Sequence, residues 1–201
     1  MGLPIKRFIV AANANDILAR FFESGEMRTD GVVPTLSPSM DIQISSNFER
    51  LLFDMMDRDG ARVEATLKAF RTDGRFKVDA GMLQAVRKKF DAARFDDAET
   101  TATMRALYGE IGMLIDPHTA VALAAAKADP ETDGTPMVVL ATAHPAKFPD
   151  AVEAATGVRP PLPPRMADLY QRPERATSVD NNLNAVEKVV EQNVSMAGAK
   201  A

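Results

Sequence analysis

The sequence predicts an α/β fold that is helix-rich with few strands. Residues 5–12 form an apolar, β-branched run that is typical of parallel strands, and residues 137–141 form a second one. Through most of the remaining chain, apolar residues recur at helical spacing. Because two clear strands are few for 201 residues, we expect weaker strands as well, near residues 75–78 and 93–95.

The first predicted strand leads into a loop and then a helix. Asn15 or Asp16 can cap this helix, which runs to Glu23 and stops at the following Ser-Gly pair. The later helices are indicated by amphipathic stripes, by Asp or Asn caps and by glycines at their ends. We predict them at residues 47–60, 61–70, 79–90, 97–111, 118–128, 149–155 and 180–194, with Asp97 as the cap of the fourth.

Composition excludes several classes of protein. The net charge of −4 gives no reason to expect nucleic acid or a membrane surface as a partner, since both require a basic patch. No apolar run approaches the roughly 20 residues that a membrane-spanning helix needs. The absence of cysteine rules out disulfides and thiolate chemistry and fits a cytoplasmic location, and two histidines argue against a histidine-rich metal centre.

A change of composition after Gly157 divides the chain. All the motifs that can carry chemistry lie in residues 1–157, whereas the rest begins with a proline-rich stretch and continues into a helical tail. We therefore expect the catalytic region within residues 1–157, and a linker with a helical tail over residues 158–201.

Two polar clusters lie where the predicted fold would place a ligand. Asn13, Asn15 and Asp16 follow the first strand, and the carboxyl ends of strands form the ligand-binding edge of an open α/β sheet. Residues 37–47, with Ser46 and Asn47 at their end, combine hydroxyls and amides at a helix start, which can hold an anion. Helix capping is the simpler interpretation of both clusters.

Two further clusters contain histidine. Asp116 and His118 stand before a helix that is apolar on every side, where an ionisable pair is unfavourable unless it is used or paired. Thr142, His144 and Lys147 follow the second predicted strand. The chain has no P-loop, dinucleotide-binding motif, nucleophile elbow or metal-binding motif. From the residues alone, the sequence predicts a cytoplasmic α/β domain with a polar pocket at its strand ends.

Taken together and in their order, five motifs resemble those of threonine synthases of bacteria and fungi. They are the runs at residues 2–8, 12–16, 37–51, 116–122 and 141–148. The Thr-Ala-His-Pro-Ala-Lys-Phe sequence in the last run is the most specific. The resemblance covers about residues 1–155. It implies the C-terminal part of a fold-type II pyridoxal-phosphate (PLP) enzyme, with a tryptophan synthase β-like α/β fold around the cofactor.

The resemblance also implies a reaction and residue roles. Threonine synthases convert O-phospho-L-homoserine and water to L-threonine and phosphate, with pyridoxal 5'-phosphate as the electron sink. By this resemblance, Thr142 hydrogen-bonds the pyridine nitrogen of the cofactor. The candidate substrate-binding residues are polar residues of the motifs, namely Asn15, Asp16, Ser46, Asn47, His144 and Lys147. The partner is then a small molecule, not nucleic acid or a membrane, and the oligomeric state stays open.

By the same resemblance, a lysine in a Ser-x-Lys context holds the cofactor covalently. None of the nine lysines here has a serine two positions before it, and a glycine-rich phosphate-binding loop is also absent. We therefore expect this lysine outside the chain, no catalytic residue within it, and no activity from the 201 residues alone. Two alternatives stay open: another fold-type II lyase, such as a serine/threonine dehydratase or a phospholyase, and a non-catalytic fragment or scaffold.

Overall fold

The structure is a computed structural model that describes residues 2–129 and 133–198, with the backbone only for residues 195–198. It divides into two compact units, Met1–Pro161 and Leu162–Ala201. The boundary between the units falls within the proline-rich stretch that the sequence predicts as a linker.

The first unit carries seven helices in the part of the chain that the structure describes. They are α1 (Ile17–Ser24), α2 (Phe48–Met55), α3 (Gly60–Asp73), α4 (Ala80–Arg87), α5 (Asp97–Ile111), α6 (Pro117–Ala128) and α7 (Pro149–Thr156). Four strands accompany them: β1 (Phe8–Ala12), β2 (Glu26–Arg28), β3 (Arg75–Lys77) and β4 (Phe90–Arg94). Short 3₁₀ turns occur at Pro38–Met40 and Pro145–Lys147. The helix-rich α/β prediction is confirmed.

Two small sheets organise this unit. Strands β1 and β4 are parallel, with Phe8 opposite Phe90 and Ala12 opposite Arg94, whereas β2 and β3 pair antiparallel. Because β1 and β4 run in the same direction, their carboxyl ends meet at one edge. The loop that follows β1 and the start of α5, which follows β4, are therefore neighbours.

Two apolar cores support the strands and helices. The larger core gathers the inner faces of α1 to α4 around the fully buried Phe21, whose ring lies 4.8 Å edge-on from that of Phe48. The smaller core packs α5, α6 and α7 through buried residues such as Met104, Ala120 and Val152. Phe48 of the third motif lies in the larger core, and Ala120 of the fourth motif lies in the smaller one.

Several predicted boundaries move for identifiable reasons. Gly60 begins α3 instead of ending α2, because Asp57 and Arg58 take up left-handed conformations and turn the chain earlier. The cap of α5 is Asp96, not Asp97, and it forms a complete capping box with Glu99. Helix α4 is shorter than predicted, because its last residues turn and enter β4.

The predicted strand at residues 137–141 is wrong. These residues have no regular secondary structure and form no ladder with any described strand, and Val138 is 76% exposed. Their β-branched, apolar composition favours a strand, yet a strand exists only where a neighbour supplies hydrogen bonds. The two weak strands that the sequence suggests are confirmed, one at β3 and the other where residues 93–95 overlap the end of β4.

The second unit contains two 3₁₀ turns, Pro164–Met166 and Leu169–Gln171, and the helix α8 (Leu183–Gly198). One face of α8 carries apolar residues at helical spacing that are exposed to solvent, namely Leu183, Val186, Val190 and Val194. Across the described residues of both units, no helix is long and apolar enough to cross a membrane.

Candidate functional site

The centre of the candidate site is a loop of residues 33–41, which we call the polar loop. Asn13, directly after β1, is 1% exposed and points its amide nitrogen into this loop. That nitrogen lies 2.7 Å from the Thr35 hydroxyl, 2.9 Å from Ser37 Oγ and 2.8 Å from Asp41 Oδ1. Because the amide has two hydrogens, these oxygens share them, and the loop is held to the end of β1.

Asn15 and Asp41 complete the attachment. The Asn15 side chain accepts the backbone N–H of Val33 at 2.8 Å and donates to the carbonyl of Val33 and to Asp41 Oδ1 at 2.8 and 2.9 Å. The Asp41 carboxylate also accepts the hydroxyl and backbone N–H of Thr35, at 2.6 and 2.9 Å. All polar atoms of the Asn15 amide are thus engaged within the chain.

Two helix starts hold the same loop from the other side. The Asp97 carboxylate, in the first turn of α5, accepts the backbone N–H of Leu36 at 3.1 Å. The His118 ring, in the first turn of α6, accepts the backbone N–H of Ser39 through Nε2 at 3.2 Å. The polar loop is therefore attached to the end of β1 and to the starts of α5 and α6.

His118 in turn belongs to a buried pair with Asp116. Its Nδ1 lies 2.7 Å from Asp116 Oδ2, and the Asp116 side chain is fully buried. Asp116 also caps α6 by accepting the backbone N–H groups of His118 and Thr119, and it accepts the Thr119 hydroxyl. The ring of His118 packs 4.7 Å from the ring of Phe148, so the histidine touches the last of the sequence motifs.

The fifth motif, residues 141–148, has several exposed side chains, including those of Thr142, His144 and Lys147. Thr142 lies outside regular secondary structure, and the described part of the chain offers its hydroxyl no hydrogen-bond partner. His144 accepts the backbone N–H of Ala146 at 3.1 Å through Nδ1 and caps the following 3₁₀ turn. Lys147 extends its ammonium group over the Phe148 ring, 5.5 Å from the ring centroid.

The remaining predicted residues are dispersed. Asp16 accepts from Arg20 Nε at 2.8 Å, one helical turn further on. Ser46 and Asn47 are exposed at the start of α2, where Asn47 Oδ1 accepts from an Arg50 side-chain nitrogen at 3.2 Å. The expectation that Asn15, Asp16 or Asn47 caps a helix through its side chain is wrong, because no side-chain capping bond forms at the start of α1 or α2.

The structure thus joins parts of three motifs and leaves other predicted residues apart. Asn15, the polar loop and the Asp116–His118 pair form one network, and the ring contact with Phe148 adds the last residue of the fifth motif. A surface groove of about 1040 Å³ between α2 and α3 includes Ser46, and a second, of about 820 Å³, lies along β2 and β3. Neither groove reaches the network, and within the described residues no group of three His, Asp or Glu is placed to hold a metal.

Sequence reasoning missed the side chains that hold the network together. Thr35 and Asp97 are not among the residues that the sequence predicts for the site. Asn13 lies in the predicted cluster after the first strand, and Ser37 and Asp41 lie in the run of residues 37–47, but the sequence assigns none of the three a role. Asn13 bonds to side chains 22 to 28 positions further along the chain, and Asp97 bonds to a residue 61 positions before it, so no local pattern shows these pairings. For the Asp116–His118 pair a signal existed, because an ionisable pair before a fully apolar helix requires a partner.

Comparison with known proteins gives consistent matches. A family model described as "Threonine synthase, C-terminal" matches residues 119–190. A threonine synthase of Pseudomonas aeruginosa is 46% identical over 193 residues, which is 96% of this chain and 41% of that protein. The chain superposes with a TM-score of 0.85 on a PLP-bound threonine synthase from Brucella melitensis, at 49% identity over 96% of this chain and 41% of that one. On the yeast threonine synthase the TM-score is 0.82, at 33% identity over 98% of this chain and 43% of that one.

These matches first define a class: the fold is that of part of a fold-type II PLP-dependent enzyme. Within that class the chain matches the threonine synthases over nearly its whole length, so the resemblance seen in the motifs is confirmed. The other lyases and the scaffold that the sequence left open are not favoured. The chain spans less than half the length of these relatives.

Proposed function

We propose that this chain supplies one side of a threonine synthase active site, where O-phospho-L-homoserine and water give L-threonine and phosphate. The proposal rests chiefly on the superposition with the PLP-bound Brucella enzyme, which extends over 96% of this chain at 49% identity. The substrate is a small molecule and the proposed location is the cytoplasm. Neither nucleic acid nor a membrane is a proposed partner, in keeping with the net charge of −4.

Thr142 is the proposed contact to the cofactor. Its hydroxyl is exposed and lacks a hydrogen-bond partner among the described residues, so it fits a ligand atom that accepts a hydrogen bond. In this role Thr142 Oγ1 donates to the pyridine nitrogen of PLP. A neutral hydroxyl does not stabilise a proton on that nitrogen as an aspartate would. When bound, the cofactor supplies the electron sink.

His144 and Lys147 are the proposed partners of the substrate phosphate. Both lie in the exposed turn after Thr142, and a lysine ammonium is a suitable point charge for a phosphate ester. Ser46, Asn47 and Asp16 are proposed as further substrate contacts at the starts of α1 and α2. For Asn15, whose amide is fully engaged, we propose an indirect part through the polar loop.

The lysine that holds the cofactor is the residue that the chain does not provide. No lysine among the nine stands in the Ser-x-Lys context of the family. We propose that this lysine, and the loop that binds the cofactor phosphate, come from a segment outside these 201 residues. The described residues then act by binding, orienting and hydrogen-bonding at their side of the site.

The test is a chimera in which this chain replaces the matching 193-residue stretch of the Pseudomonas aeruginosa threonine synthase. We expect the chimera to release phosphate from phosphohomoserine and to form threonine. Thr142→Val should lower kcat at least about tenfold, because one directed hydrogen bond is lost. Thr142→Ser, which keeps the hydroxyl, is the matched control. Equal kcat for the Val and Ser variants would refute the role of Thr142.

A second variant of the chimera tests the phosphate site. Lys147→Ala should raise the KM for phosphohomoserine several-fold, because a charge-assisted contact to the phosphate is removed. Lys77→Ala, on the exposed strand β3, serves as the charge-matched control and should leave KM unchanged. An unaltered KM for Lys147→Ala would remove Lys147 from the site.

A further inference from the structure

We infer that His118 is a positioning residue that locks the polar loop and the turn of residues 144–148 to the first turn of α6. His118 is the described side chain that contacts both segments, by a hydrogen bond to Ser39 and a ring contact to Phe148. The importance of this attachment for function rests on the proposed function. The polar loop leads to Ser46 and Asn47, and the turn contains His144 and Lys147, all of which are proposed substrate contacts. The lock itself is a property of the chain.

The hydrogen bonds fix which ring nitrogen carries the proton. Nε2 of His118 faces the backbone N–H of Ser39 at 3.2 Å, and an amide N–H only donates. Nε2 therefore acts as the acceptor and carries no hydrogen. The proton is on Nδ1, which lies 2.7 Å from Asp116 Oδ2, and the imidazole is neutral.

Asp116 explains why this arrangement is the stable one. Its carboxylate is fully buried and accepts from the backbone N–H of His118 and of Thr119 and from the Thr119 hydroxyl. These capping contacts orient both carboxylate oxygens of Asp116 independently of the imidazole. The ring can then only donate through Nδ1, which turns Nε2 outward as an acceptor for the polar loop. The same two side chains, Asp116 and His118, therefore cap α6 and attach the polar loop to it.

The ring face provides the second contact. The His118 and Phe148 rings lie 4.7 Å apart at 48°, and Phe148 is followed at once by α7. Its neighbour Lys147 is a proposed phosphate contact. Ser39 lies in the polar loop, which continues along the chain towards the start of α2. One side chain therefore uses its edge for the first segment and its face for the second.

This division of labour makes the inference testable by two complementary variants. His118→Phe keeps a ring against Phe148 but removes the acceptor for Ser39. His118→Gln keeps an acceptor near the position of Nε2 but removes the ring. Hydrogen exchange of the purified chain is measured at the Ser39 amide and at the amides of residues 146–148, with the amide of the fully buried Phe21 as the reference for global opening.

We expect a crossed pattern. Relative to Phe21, His118→Phe should speed exchange at Ser39 about tenfold and leave residues 146–148 near their original rate. His118→Gln should do the reverse. The control Ser39→Ala keeps the backbone N–H and should leave the Ser39 position protected. If both variants loosen both segments equally, or if neither does so, the positioning role is overturned.

A measurement on the unaltered chain keeps the inference falsifiable even if a variant fails to fold. The chain has two histidines, so ¹⁵N spectra of the imidazole rings are assigned by comparison with His144→Gln. We expect His118 as a neutral ring with its hydrogen on Nδ1, and a hydrogen on Nε2 would overturn the lock. These results do not depend on phosphate release by the chimera, so failure of the proposed function and failure of the lock are distinguishable.

Discussion

Two parts of the chain that carry threonine synthase motifs differ in how their polar groups are used. In the network around the polar loop, every buried side-chain nitrogen and oxygen of the described residues has a hydrogen-bond partner. In the segment of residues 133–148, which we call the exposed segment, Thr142 and Lys147 are exposed, and the apolar Val138 and Leu140 are 76% and 70% exposed. The hydrogen-bonding groups of the first region are satisfied within the chain, whereas Thr142 and Lys147 in the second region are exposed to solvent.

The difference separates two kinds of motif residue. A side chain whose hydrogen-bonding capacity is used internally, such as that of Asn13, fixes the backbone and has nothing left for a ligand. A side chain such as that of Thr142 has its hydroxyl available. The fact that a residue belongs to a family motif does not show which kind it is, because Asn13 and Thr142 both lie in such motifs. The variants below are chosen to separate structural from ligand-binding residues.

The largest expected effect is in the network. Asn13→Ala removes the donor shared by Thr35, Ser37 and Asp41 and leaves their oxygens short of a partner. We expect the free energy of unfolding to fall by about 2–3 kcal/mol in urea denaturation followed by circular dichroism. Asn47→Ala, an exposed asparagine, should change it by less than about 0.5 kcal/mol. Equal losses from both substitutions would show that the network is not the more stable region.

The network also shows what the sequence could and could not predict. The helices follow from amphipathic spacing and caps, which are local, and so most of them were predicted within a few residues. The pairing of Asn13 with residues 35 to 41 depends on how the polar loop folds back onto the end of β1, and no local pattern contains it. The strand predicted at residues 137–141 failed for the related reason that a strand depends on a neighbour.

A smaller effect is expected at the start of α5, which holds the polar loop through Asp97. Asp96→Ala removes the capping box with Glu99, and we expect a loss of about 1 kcal/mol in unfolding free energy. Glu64→Ala, on the exposed face of α3, is a control that should lie within about 0.5 kcal/mol of the unaltered chain. A loss at Asp96 no larger than that at Glu64 would mean that this cap does not support the loop.

In the exposed segment the effect on stability should nearly vanish. Val138→Lys places a charge where the side chain is 76% exposed, and the unfolding free energy should stay within about 0.5 kcal/mol. Because an exposed apolar segment without strand partners favours association, the same variant should reduce self-association in sedimentation measurements. Val121→Ala, at a fully buried valine of α6, is the contrasting control and should lose about 2 kcal/mol. A large loss at Val138 would show that this segment is packed in solution.

The smallest effect is expected at the beginning of the exposed segment. The hydrogen bond from Lys6, at 2.6 Å, and that from the Thr135 backbone N–H hold the pKa of Asp133 well below its ordinary value of 3.8. Since the folded pKa is the lower one, the contribution to stability is complete above the unfolded pKa. It is lost only as the pH falls below the ordinary value of 3.8 towards the folded pKa. Both side chains are about half exposed, so solvent and salt weaken the ion pair. Its effect on the free energy of unfolding near neutral pH should therefore be too small to measure.

Titration of the Asp133 carboxyl carbon by NMR is therefore the sensitive measurement. Lys6→Ala should raise its midpoint towards 3.8, whereas Lys77→Ala should leave it in place. A midpoint already at the ordinary value in the unaltered chain would show that this part of the exposed segment lacks the fixed contact described here.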